Sequence, residues 1–289
     1  MIKNKKRINI LIVCIALIII VAFIGLMANF RKDSKGSGYI PPANIKTENI
    51  PLNEITTYEE SIENGKVEID GTYYDIHNIY EMLNIYNSDG DVVETVYIND
   101  DSKARIEFIY KNNQIIKEKR YSNDEFASTT YYRYENDLLL EQTTVDKSGL
   151  KTRIEYSYGA KTRKLTHYNS DNDISFIATE YVDDNGNILK GVITTEDGEV
   201  TDTTTMYYDN DLLVKSIRKR DGGAINTFNI EYNNVGDKIK EYSILSHQKD
   251  DFLMVYLYDI EYNENLLPKI ITIYQVHSKI TAEDARKYQ

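Results

Sequence analysis

A chain of 289 residues, 41% of them hydrophobic, is long enough for one large domain or two modest ones and too apolar to be disordered throughout. Its net charge is −12 at pH 7, and all 46 acidic residues lie after Phe30, which argues against nucleic acid or an anionic lipid surface as partner, because binding phosphate requires basic patches. Cys14 is the single cysteine, so no intrachain disulfide framework is available.

Lys3, Lys5, Lys6 and Arg7 form a basic tip, residues 1–7, ahead of an almost wholly apolar run from Ile8 to Phe30. At about 1.5 Å per residue this run makes a helix of roughly 33 Å, which matches a hydrocarbon core of about 30 Å. Retention of positive charge inside predicts a cytoplasmic N-terminus, with everything after residue 30 outside. A cleaved signal peptide is the competing reading. The run is long for one, and Leu26-Met27-Ala28 puts a large residue where a small one is needed. The expectation is therefore a single-pass cell-membrane protein, with an uncleaved signal anchor over 8–30 and an extracytoplasmic C-terminal domain.

Residues 31–53, with Ser34-Lys-Gly-Ser-Gly38 and Pro41-Pro42, read as a flexible linker. Residues 54–85 form an N-terminal cap region with mixed signals. Thr57 and Glu60 suggest a capping box, Ile76, Ile79, Tyr80 and Leu83 have helical spacing, and Val67–Tyr74 reads as a hairpin.

From 86 to 275 the chain repeats itself. Tyr86, Tyr110, Tyr134, Tyr158, Tyr181, Tyr208, Tyr232 and Tyr262 recur about every 24 residues, each followed by an Asn/Asp/Gly cluster and a second apolar stretch. Tyr134-Glu-Asn-Asp-Leu-Leu and Tyr208-Asp-Asn-Asp-Leu-Leu show the short form, and Tyr181-Val-Asp-Asp-Asn-Gly-Asn-Ile-Leu a longer one. Asn and Asp accept positive φ and bond their own backbone, so each unit reads as two strands and two turns. The fold class expected is all-β: tandem antiparallel β-hairpins, roughly sixteen strands, in one large twisted or half-closed sheet behind a transmembrane helix. Residues 276–289 form a polar C-terminal tail.

Tyr181–Lys190 and Tyr208–Leu213 resemble the RHS/YD-repeat family over about residues 86–270. That resemblance implies a surface or secreted β-repeat protein, without implying toxicity.

No catalytic, cofactor-binding or metal-binding residues emerge. His77, His167, His247 and His277 are far apart in sequence and have no His or Cys nearby at ligand spacing. Asp183-Asp-Asn-Gly-Asn187 alternates oxygen ligands but fails the EF-hand spacing and reads as a turn. The 25 tyrosines are the unusual feature. Tyr134, Tyr158, Tyr208 and Tyr232 are the candidate binding surface, weighed against cross-strand packing with hydroxyls at the sheet rim. The function expected is a non-enzymatic scaffold or binding module at the cell envelope, with an envelope protein as partner. The alternative is a carbohydrate or cell-wall glycan bound through exposed tyrosines. An enzyme built from scattered carboxylates is the third reading. No cofactor is expected.

Overall fold

The computed structural model describes residues 51, 54–57, 62–69, 71–247 and 250–286. The anchor expected over 8–30 and nearly all of the linker lie outside them, and no helix among the described residues is long and apolar enough to cross a membrane.

The described chain is strand almost throughout. A short hairpin of β1 (Ile62–Glu63) and β2 (Lys66–Ile69) leads into β3 (Thr72–Tyr86), β4 (Val92–Asn99), β5 (Ser102–Lys111), β6 (Gln114–Ser122), β7 (Glu125–Glu135) and β8 (Leu138–Asp146). There follow β9 (Lys151–Tyr158), β10 (Thr162–Tyr168), β11 (Ile174–Val182), β12 (Ile188–Thr194), β13 (Val200–Asp209) and β14 (Leu212–Arg220). The last strands are β15 (Ile225–Tyr232), β16 (Lys238–His247), β17 (Asp250–Tyr262) and β18 (Pro268–Ile280), and a one-turn helix α1 (Ala282–Ala285) ends the described chain. Residues 76–83, whose spacing also fits a helix, lie within β3.

Each strand from β3 onward pairs antiparallel with the next, and β18 returns to pair with β3 from Ile270↔Leu83 to Val276↔Ile76. Sixteen strands thus close into a barrel. This corrects two expectations. The sheet is neither open nor half-closed, and the hairpins do not form the repeat sheet that the RHS/YD resemblance implied. The physical reason is that closure removes both exposed edges, which an open sheet of this size leaves unpaired. Followed once around the barrel, the registers return displaced by about 18 residues. With strands about 4.8 Å apart, that stagger gives a tilt of about 38° and a backbone radius of about 15–16 Å.

The turns explain the repeat. The two-residue loops Asn112-Asn113, Asn136-Asp137 and Asn210-Asp211 place both residues at positive φ, which suits type I′ hairpins. In the longer turns an Asx side chain caps the loop. Asn87 Oδ1 accepts from the amides of Asp89 and Asp91, and Asn169, Asp183, Asn233 and Asn263 do the same in their own turns. A bulge also recurs at the rim formed by the turns that follow the anchor tyrosines. It falls beside Tyr86, Tyr110, Tyr134, Tyr208, Tyr232 and Tyr262, but beside Val182 rather than Tyr181, so Val182 holds the anchor place in that repeat.

Candidate functional site: the two faces of the barrel wall

Alternation sends successive side chains to opposite faces, and the two faces differ in chemistry. One turns outward. On it Tyr131 and Tyr207 are 47% and 46% exposed, and Ile79, Ile85 and Ile98 also meet solvent. Its centre is a ladder of charges running across strands. Arg105 reaches Glu94 at 3.2 Å and also bonds Glu107, Lys119 lies 3.7 Å from Glu107, and Arg133 lies 3.5 Å from Glu141. Arg153 pairs with Glu155, and Lys240 with Glu231 at 3.8 Å. Water solvates such pairs, whereas a charge at the middle of a lipid-facing barrel wall costs about 2–4 kcal/mol.

The inner face carries the anchor tyrosines and a second set of phenols. Burial pushes Tyr97 up to about 12 and raises Tyr132, Tyr156 and Tyr258 well above the usual phenol range. Tyr132 donates to Glu118 Oε2 at 2.8 Å, and Tyr156 to Gln142 Oε1 at 2.7 Å. Gln275 joins three neighbours: its Oε1 accepts from Asn78 at 2.8 Å and Tyr80 at 3.3 Å, and its Nε2 donates to Tyr256 at 3.1 Å. The inner charges are paired: Arg120 with Glu118, Arg163 with Glu180 at 2.5 Å, Arg218 with Asp202 at 2.7 Å and Lys238 with Glu241 at 2.7 Å. Burial works against the Lys238 ammonium, but Tyr258 and Glu241 beside it hold its pKa above the usual lysine range. Two buried polar atoms on this face, Asn226 Oδ1 and Ser243 Oγ, have no hydrogen-bond partner among the described residues.

The sequence-derived tyrosines sit on this inner face at one rim. Tyr158 donates to Leu139 O at 2.8 Å, Tyr208 to Ile188 O at 3.1 Å and Tyr232 to Leu213 O at 2.9 Å. The reason is local. Leu139, Ile188 and Leu213 lie just beyond the paired stretch with the following strand, so their carbonyls need another donor, and the phenol supplies it. Tyr134 shares the row, and burial lifts it to about 12. The hydroxyls of Tyr158, Tyr208 and Tyr232 are therefore engaged in holding the rim. Tyr80, Tyr97, Tyr132, Tyr156, Tyr256 and Tyr258 escaped the sequence reading because the anchor spacing does not mark them. For five of them the signal was parity, since Tyr80, Tyr132, Tyr156, Tyr256 and Tyr258 each lie an even number of residues before the anchor on the same strand, whereas Tyr97 lies on β4, which carries no anchor. The turn reading of Asp183–Asn187 agrees with the geometry, in which Asp183 caps its own loop.

His167 also faces inward, stacked on Phe176 with ring centroids 3.9 Å apart, and burial lowers it to about 4. Its folded value lies below the unfolded value of about 6.5, so the unfolded chain takes up the proton first. Stability should therefore fall as pH drops from about 6.5 to about 4. In urea unfolding, His167→Gln should flatten that slope by about 2–3 kcal/mol. An unchanged slope would mean that water reaches the imidazole in the folded barrel.

No family model matches the chain, and no curated protein matches it. Among solved structures, a porin-like protein from Bacteroides uniformis is similar over 71% of this chain and 96% of that one, at 10% identity and a TM-score of 0.34.

Proposed function

We propose that the chain is a non-enzymatic binding module of the cell envelope, tethered by residues 8–30, whose barrel interior takes an uncharged polar ligand such as a segment of glycan. The observation that carries the reading is the contrast between the two faces. A charged outer ladder suits water around the barrel rather than lipid. The inner wall offers phenols, the amides of Asn78, Gln142 and Gln275, and charges already neutralised by their partners, which together suit hydroxyl-rich, uncharged ligands. At a radius of about 15–16 Å, side chains reaching roughly 7 Å inward leave a central space.

The test has two parts. Protease added to intact protoplasts should remove the barrel if residues after 30 lie outside, and a protected barrel would end the tether reading. Purified protein should retain cell-wall glycan in pull-downs. Tyr132→Ala and Tyr258→Ala should each weaken retention by about tenfold or more, at about 1.4 kcal/mol per tenfold. Retention lost instead on Tyr131→Ala and Tyr207→Ala would move binding to the outer wall, and no retention of any glycan would refute the ligand class.

A further inference from the structure

The seam where β18 meets β3 contains a bulge of a different kind from the rest. Among the described residues every other bulge lies beside a hairpin turn, whereas here no hairpin joins the two strands and the register shifts before the last pair of the ladder, between Gln275 and Val276, leaving His77 without a Cα partner. A bulge re-aims a side chain, and this one brings the rings of His77 and His277 to a centroid distance of 6.1 Å at 66°. Two imidazoles sharing one cation, with metal–nitrogen bonds of about 2.0–2.1 Å, have centroids about 5.2 Å apart at the tetrahedral angle and about 6.4 Å apart when opposed, so the two rings are within about 1 Å of a shared tetrahedral cation.

Both rings are oriented by their surroundings. His77 Nδ1 lies 3.0 Å from the Asp75 carbonyl, which can only accept, so the proton belongs on Nδ1 and Nε2 keeps its lone pair. The 3.4 Å approach of the His277 amide to the same nitrogen is the longer contact and is given up in that tautomer. A carbonyl behind one ring nitrogen is the usual support of a metal-binding histidine. The His277 ring stacks on Phe252 with centroids 5.9 Å apart at 25°. Both histidines are exposed, so a cation and its waters have access.

We propose that His77 and His277 bind a divalent first-row transition cation, Zn2+ or Cu2+, across the barrel's closing seam. Imidazole suits these ions, and water completes the coordination. Among the described residues no group of three or more metal-ligating side chains comes together, so this is a two-histidine site of modest affinity. A bound cation would staple β18 to β3, the pair of strands most distant in sequence. The proposal stands independently of any ligand inside the barrel.

The experiment is titration of the full-length, tag-free protein in detergent with Zn2+ and with Cu2+, followed by calorimetry. One equivalent should bind, and His77→Ala and His277→Ala should each weaken it by about tenfold or more. Circular dichroism checks that the variants are folded. A measurement free of variants is electron paramagnetic resonance of the Cu2+ form, in which two coordinated nitrogens are expected. Failure of the wild-type protein to bind, binding unchanged in the double variant, or a Cu2+ signal without two nitrogens would each overturn the proposal.

Discussion

Leu253→Ala should cost the barrel about 2–5 kcal/mol, although Leu253 points outward from β17. Leu253, Val255 and Leu257 alternate on that outer face, yet each is 0% exposed. The cover comes from the two ends of the described chain. Val67 and Ile69 of β2 and Ala285 of α1 pack on them together with Val276 and Ile244, and Ile62, Tyr74 and Ile280 close the margins. The N-cap of α1 is sound, since Thr281 Oγ1 accepts from the Asp284 amide and so seats the helix. A cavity opened at Leu253 therefore lies between two layers that cannot both collapse into it. Ile98→Ala is the control. Ile98 shares the outer face but is 40% exposed, so its loss should cost well under about 1 kcal/mol. The measurement is urea unfolding of both variants. Equal costs would mean that the hairpin and helix do not stay docked over β16–β18, and the outer wall there would then be an exposed apolar patch.

This covered patch also marks where sequence reasoning stopped. The hairpins were legible because Asn-Asp and Asn-Asn pairs fix local backbone geometry, and tyrosine spacing repeats it down the chain. Closure was not legible. It depends on the β18–β3 pairing, between residues nearly two hundred apart, and on an accumulated stagger that no single repeat carries. Which face turned inward was hidden for a related reason. Both faces carry tyrosine and both carry charge, and only the barrel's curvature decides that Tyr132 is sheltered and Tyr131 is not. The single-residue slip at Val182 was hidden by the bulge, which sets the anchor place by the turn that follows rather than by residue type. The His77–His277 pair was dismissed on sequence separation, the one criterion that a closed barrel makes irrelevant.

The inner charges give the other large expected effect. Arg163→Ala should cost about 3–5 kcal/mol, more than any of the exposed outer pairs. Arg163 Nε lies 2.5 Å from Glu180 Oε2, and the two side chains are 12% and 11% exposed. Removing the guanidinium leaves a carboxylate on the inner wall with its main counter-charge gone. It also withdraws the positive charge that offsets burial at Tyr156 and Tyr158, on the neighbouring strand. The outer pair Arg105–Glu94 provides the contrast. It is separated by 3.2 Å but more open to water, at 23% and 26% exposure, so Arg105→Ala should cost about 0.2–1 kcal/mol and less at high salt. Replacing both inner partners, Arg163→Met with Glu180→Leu, should recover most of the loss, because the cost lies in an unpaired charge rather than in the absence of a bond. Urea unfolding of the two single variants and the double variant closes the cycle. A cost below about 1 kcal/mol for Arg163→Ala would show that bulk water solvates Glu180 freely. The inner wall would then be as wet as the outer one, and the interior could offer a ligand no shelter from solvent.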